Sequence, residues 1–356
     1  RKGLAPASCF HNHFFGMLSL FHISLMGGGG ISKRLLNLAN VFFGRIQGGL
    51  AIVTVVVCMF FAAISGSGPA TVAAVGGMVI PTMLEKGYDK KFVLALIAAA
   101  GSIGVIIPPS IPMVIYAVTT NSSVSTLFLA GFVPGILIGL VLIAYSYFYA
   151  KKMGYKGDDE PFSVKRALRE TKEGFWAILS PVIILGGIFG GIFTPTESAA
   201  VAVVYALLVS LLIYKDIKIK DIPGIFVDGA ISTATILMLV GISKSSGYVI
   251  TTSGLPHQVL EVFSSFTNST VVILLLLNIL FLVIGMLMEA NAAIIMMTPI
   301  LLPLLDAFGI DPLQFGIMMS FNLCIGLVTP PVGICLLMTN QIAEARFVQT
   351  LKSVMP

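Results

Sequence analysis

The chain has 356 residues, 57% of them hydrophobic and only 10% charged, with a mean hydropathy of +1.00. That balance excludes a soluble domain of ordinary make-up and indicates a polytopic membrane protein. The net charge of +5 does not point to nucleic acid, because the basic residues cluster between apolar stretches and record topology.

In chain order, residues 1–47 form an atypical N-terminal segment and an interfacial helix, with the irregular run ASCFHNHFFGMLSLFHISLM and glycines at 27–30. No cleavable signal peptide is evident, so insertion would rely on internal spans. A zinc site would need more ligands than His11 and His13. Cys9, Cys58, Cys324 and Cys335 lack metal or redox spacing. Residues 48–118 make a first core unit. Its segment 48–85 has Arg45 at one end, Lys86, Lys90 and Lys91 at the other, and Ser65-Gly66-Ser67-Gly68-Pro69 midway, so it reads as a hairpin that turns back inside the membrane. Segment 92–118 reads as a broken helix, regular over 92–102, interrupted at 104–112 and resumed over 113–118, because paired prolines remove N–H donors.

Residues 119–224 read as scaffold helices. Segment 127–150 is long enough to span, and Tyr145, Tyr147, Phe148, Tyr149 and Trp176 stand where interfacial anchors belong. The stretch 151–174 reads as a cytoplasmic surface helix lying along the interface, and Thr194 with Glu197 as a cap opening the next helix. Residues 225–269 are a scaffold lead-in that carries Lys244. Residues 270–340 make a second core unit, with a hairpin at 270–306 turning at Met288-Glu289-Ala290-Asn291 and a broken helix at 313–340 interrupted at 326–333. Residues 341–356 are a C-terminal tail.

The loops holding Lys33, Arg34, Arg45, Lys86, Lys90 and Lys91, the basic residues of 151–172, and Lys215, Lys218 and Lys220 read as cytoplasmic. Loops 119–126, 193–198, 253–270 and 306–312 contain no Lys or Arg and read as outward-facing. The two hairpins then enter from opposite sides, which makes the two units inverted repeats. Shifting the sequence by 222 residues matches Ala70 with Ala292, Pro81 with Pro303, Gly87 with Gly309, Asp89 with Asp311, Ile103-Gly104 with Ile325-Gly326, and Pro108-Pro109 with Pro330-Pro331. Breakers repeated in two halves of an apolar chain are the signature of a secondary transporter with its site near the bilayer midplane. The expected fold is therefore an all-α polytopic membrane protein with two inverted repeats, each a re-entrant hairpin plus a broken helix. Freed carbonyls with Ser and Thr hydroxyls suit Na⁺ as coupling ion, and half-helix N-termini suit an anionic substrate. Close helix packing alone would also place Gly and Pro in such segments. No GxxxxGK[ST] sequence is present for an ATPase motor, and no organic cofactor or enzymatic constellation is apparent.

The runs FFAAISGSGPATVAAVGGMVIP, GYDKKF, GSIGVIIPPSIPMVIYAV, FTPTESAAVAVVYALL and GLVTPPVG resemble the large membrane subunit of tripartite ATP-independent periplasmic (TRAP) transporters, the DctM-like family, over about residues 27–340. The resemblance implies an elevator-type, Na⁺-coupled importer of an organic acid anion in the bacterial inner membrane. It implies a small four-helix membrane subunit and a periplasmic solute-binding protein as partners. It also implies a regular first span and a further C-terminal helix, from which both termini depart.

By the same resemblance, Ser65, Gly66, Ser67, Gly68 and Pro69 with Gly104, Pro108, Pro109 and Ser110 would form one Na⁺ site. Glu289, Ala290 and Asn291 with Gly326, Thr329, Pro330, Pro331 and Gly333 would form the other. Ser67, Ser110, Lys244, Asn291 and Thr329 are the candidates for contact with substrate. Lys244 is a cation within a predicted span and a site hypothesis by default, with snorkelling to the interface as its structural alternative. Glu289 would balance a cation or accept from tip amides. A stand-alone Na⁺/dicarboxylate or citrate-type symporter is the alternative within transport, and a membrane assembly or channel protein the alternative outside it.

Overall fold

The computed structural model describes residues 30–158, 163–267, 269–345 and 347–354. Segment 1–29, with Cys9, His11 and His13, lies outside the described residues. Helix α1 (Ile31–Phe43) is amphipathic and buries Ile31, Leu35, Leu38 and Ala39. From its polar face Arg34 pairs with Asp216 and lies 3.8 Å from the centroid of the Tyr214 ring.

The first hairpin is α2 (Gly49–Ser65), a break at 66–67, and a returning arm. That arm runs through α3 (Gly68–Thr71), a π turn (Val72–Gly76) and α4 (Gly77–Glu85). Its far ends meet where Thr54 Oγ1 donates to Met83 Sδ at 3.7 Å. Next come α5 (Lys90–Ser102), a 3-10 turn (Ile103–Val105), an irregular loop and α6 (Ile111–Thr120). The helix resumes earlier than expected, because Pro112 falls in the first turn of α6, where its missing N–H costs nothing. The second hairpin is α12 (Thr270–Leu287) and α13 (Ala290–Ala307), whose far ends meet at Thr270 Oγ1 and Phe308 O, 3.3 Å apart. It is followed by α14 (Pro312–Gly326), the loop 327–333 and α15 (Ile334–Ile342). Pro81 and Pro303 lie inside the two returning arms.

Between these units run α7 (Val124–Met153), α8 (Val164–Phe189), α9 (Pro195–Leu208), α10 (Ile222–Thr252) and α11 (Leu255–Phe266), and α16 (Phe347–Val354) follows them. Among the described residues, α7, α8, Pro195–Ile213, α12 and α13 are long and apolar enough to cross a membrane. The chain is thus an all-helical polytopic membrane protein.

Two differences from the sequence reading have physical causes. Residues 164–174 are not a separate surface helix but the first turns of α8. No breaker interrupts them, and Gly174 lets the helix close on Leu38, whose side chain fills the space of a Cβ. The lysine-free stretch 253–270 contains α11, whose Val259, Leu260 and Phe263 pack on the second hairpin's core.

Helices in lipid gain little from burying apolar side chains and associate instead by close packing. Along α7 the glycines 131, 135 and 139 bring the helix against Met113, Ile107 and Met59, with no room for a Cβ. Tyr116 joins the two units. It is fully buried, packs on Gly316 and donates to Pro312 O at 2.7 Å.

Candidate functional site

Each hairpin tip is bonded to the interruption of the helix that follows it. In the first unit Ile111 N donates to Gly66 O at 3.1 Å; in the second Val332 N donates to Met286 O at 3.2 Å. Gly66 sits at φ +61°, and a Cβ there would overlap Pro109 O, so glycine is required on two counts. A Cβ on Gly104 would lie 2.7 Å from Ser67 O, so its absence seats the break on the tip. Gly326 has the same relation to the backbone of Gly285. Both Pro–Pro bonds, 108–109 and 330–331, are cis.

The first tip is a compact hydroxyl cluster. Ser67 O accepts from Thr71 Oγ1 at 2.9 Å and Ser65 Oγ at 3.2 Å, and the two hydroxyls are themselves 2.9 Å apart. Ser110 is buried, donates to Val105 O and caps α6 by accepting from Met113 N at 3.4 Å. Loop 106–110 has two prolines among five residues, so it carries more carbonyls than N–H groups to satisfy them. Thr71 was absent from the expected set, yet its hydroxyl completes the cluster; its place one turn after Ser67 was the available signal.

At the second tip, Glu289 is used as a helix cap. Its Oε2 accepts from Asn291 N (2.8 Å) and Ala292 N (3.2 Å), and its Oε1 from Asn291 Nδ2 (3.0 Å). Because the Asn291 amide nitrogen faces the carboxylate, Oδ1 is directed away. That oxygen is buried and has no hydrogen-bond partner among the described residues. Thr329 donates to Ile325 O at 2.6 Å in the manner of a helical threonine.

The two tips share one cleft. Gly66, Ser67, Gly68 and Pro69 line one side, Glu289, Ala290 and Asn291 another, and Val105, Ile111, Pro112 and Leu327 complete it. Of the expected substrate contacts, Ser67 and Asn291 therefore face the cleft, while Ser110 and Thr329 do not line it. Pro330, Pro331 and Gly333 also stand outside it. Lys244 lies on α10, and its side chain is outside the described residues. Glu197 forms the expected capping box, accepting from Thr194 N at 2.8 Å while its own N donates to Thr194 Oγ1 at 3.3 Å.

Comparison with known proteins adds the family. Residues 7–356 match the family described as tripartite ATP-independent periplasmic transporter, DctM component. The isethionate TRAP transporter permease protein DctMQ of Oleidesulfovibrio alaskensis is 46% identical over 93% of this chain, which spans 52% of that protein. The C4-dicarboxylate TRAP transporter large permease protein DctM of Pseudomonas aeruginosa is 39% identical over 94% of the chain and 78% of its own length. The sialic acid TRAP transporter large permease protein SiaM of Vibrio cholerae is 37% identical over 93% of the chain and 78% of its own length. Among solved structures, the Alcanivorax borkumensis YdaH transporter shares the fold with a TM-score of 0.62 at 15% identity, covering 97% of this chain and 82% of that one. The chain belongs to the DctM family, the large permease components of tripartite ATP-independent periplasmic transporters.

Proposed function

We propose that this chain imports an organic acid anion across the bacterial inner membrane, coupled to Na⁺, by an elevator movement of the two hairpin–broken-helix units against α7 to α9. The observation that carries the reading is the shared cleft, where both hairpin tips meet beside a buried break. Inverted repeats give this arrangement a cause. Two units related by a twofold axis touch at equivalent residues near that axis, and Cys324 Sγ lies 3.1 Å from the carbonyl of Ser102, its counterpart 222 positions earlier.

The residues fit the cargo. Ser65, Ser67 and Thr71 offer hydroxyl and carbonyl oxygens to a hard cation, and Asn291 Oδ1 offers a buried acceptor with no competing donor. Na⁺ would tie each tip to its facing break and neutralise part of the anion's charge. The Ser67 side chain, which lines the cleft, would meet the anion itself. Relatives named for isethionate, C4-dicarboxylates, sialic acid and 2,3-diketo-L-gulonate support an acid with further oxygens as the substrate class. A periplasmic binding protein and a small membrane subunit complete the system.

Uptake of labelled acids into proteoliposomes, with and without an inward Na⁺ gradient and each partner, tests the proposal. Uptake that needs Na⁺ and the binding protein is expected. Na⁺-driven uptake without that protein would instead assign a stand-alone symporter, and substrate-independent conductance a channel.

A further inference from the structure

The cleft is lined by pairs of residues separated by the 222 positions that relate the two units. Ser67 and Glu289, Gly68 and Ala290, and Pro69 and Asn291 come from the hairpin tips. Val105 and Leu327 come from the breaks. The tip pairs bring the polar side chains of the cleft, whereas the break pair brings only aliphatic carbon.

Both break residues are held from two sides. Val105 O accepts from the Ser110 hydroxyl and Leu327 O from Cys335 N at 3.0 Å, so in each unit the start of the resumed helix fixes the carbonyl of the same position. The glycines that precede them, Gly104 and Gly326, are seated on the backbone of Ser67 and Gly285 with no room for a Cβ. Val105 and Leu327 are each only 2% exposed. The Leu327 side chain crosses to the first tip, where its Cδ1 lies 3.1 Å from the place a Cβ on Gly68 would take. Leucine thus uses room that glycine leaves open. In the corresponding combination, Ala290 with Val105, the tip residue is larger and the break residue smaller. A side chain packed this closely on a fixed backbone does not swing aside freely, so it acts as a wall.

We propose that Leu327, assisted by Val105, sets the length of acid that the cleft accepts, a specificity role that rests on the reading of this cleft as the substrate site. The polar tips and Na⁺ take the charged end, which all organic acids share, and so do not tell one acid from another. Discrimination falls to the far end, which meets the two aliphatic walls. In a pocket of that kind one methylene is worth roughly 10- to 200-fold in selectivity. Leu327 is the larger contributor, because it is one methylene longer than Val105 and reaches across to the opposite tip.

The test uses polyhydroxy monocarboxylates built alike and differing in length: glycolate, glycerate, threonate and gluconate. Thermal stabilisation by each acid is measured on the whole chain assembled with the small membrane subunit, in Na⁺ and with choline in its place. The binding protein is left out, so its own selectivity does not enter. The quantity read is the ratio of apparent affinities for gluconate and glycerate. L327A is expected to raise that ratio at least tenfold over the unaltered protein, L327V to raise it less, and V105A to move it in the same direction. L323A truncates another buried leucine one turn earlier, outside the cleft lining, and is expected to leave the ratio unchanged. L327V and V105A carry the test should L327A fail to fold. A ratio unmoved in every variant, or moved as far by L323A, while the acids still stabilise in a Na⁺-dependent way, overturns the proposal and leaves the cleft as the substrate site. If no acid stabilises the unaltered protein in a Na⁺-dependent way, the reading of the cleft fails and the proposal with it.

Discussion

At the residue scale, glycine identity at the breaks is set by contacts rather than by flexibility. G66A puts a Cβ at positive φ and into Pro109 O, so it is expected to lose at least ~1–2 kcal/mol from the backbone alone and to abolish uptake. G77A is the internal contrast. Gly77 is exposed on α4 with open space beside it, and alanine there is expected to gain up to about 1 kcal/mol. Thermal unfolding in detergent checks both. Glu289 is legible as a tip residue from the sequence, but its use as a cap follows only from the three donors it gathers. E289A is expected to cost about 1–2 kcal/mol of stability, and E289Q less, because a Gln oxygen can still accept from one amide.

At the scale of elements, the interruptions were readable within one or two residues because Pro and Gly act locally on the helix ladder. Ser65-Gly66-Ser67-Gly68-Pro69 and the two Pro–Pro pairs located three of the four interruptions, and the polar pair Glu289 and Asn291 in an apolar stretch located the fourth. What local sequence did not reveal was fixed by packing at a distance. Nothing local announces the π turn at 72–76 or the run of 164–174 straight into α8, whereas the helix at 255–266 does carry a start signal in Gly254 and Pro256. The two breaks also differ in a way the duplication hides. Residues 103–110 are buried throughout, whereas Thr329 and Pro330 are half-buried and Pro331 is exposed. A cysteine at Thr329 is therefore expected to react with a small hydrophilic thiol reagent in the folded protein, and one at Ser110 only after unfolding. Equal reactivity at the two positions would show that the breaks are equivalent after all.

At the scale of the whole molecule, one long-range contact was half visible in the charges. Lys86 read as a marker of the cytoplasmic side, but its partner Asp158 is 72 residues away, and only the fold brings them together. Burial raises the Asp158 carboxyl, but hydrogen bonds from Lys86 and Asn40 and the charges of Lys86 and Arg166 outweigh it and hold it below the usual carboxylate range. A depressed carboxyl contributes stability that is present above its ordinary pKa and lost as pH falls through the depressed value. The Lys86–Asp158 ion pair is therefore expected to be unchanged between about pH 6 and 8 and to loosen only below about pH 4. Hydrogen exchange of the Asp89 amide, which donates to the Tyr155 hydroxyl at 2.9 Å, corrected for its intrinsic rate, checks this: protection flat across the neutral range and reduced at pH 7 in D158N.

The claim on which the rest depends is that the cleft between the two tips holds the transported anion. S67C places a thiol in that cleft without touching the glycines that shape it. Its rate of labelling by a membrane-impermeant thiol reagent is measured in proteoliposomes, with the transported acid and Na⁺ added separately and together. Protection that requires both is expected. Labelling indifferent to them, in a preparation that still carries out uptake, would place the substrate elsewhere and contradict the assignment.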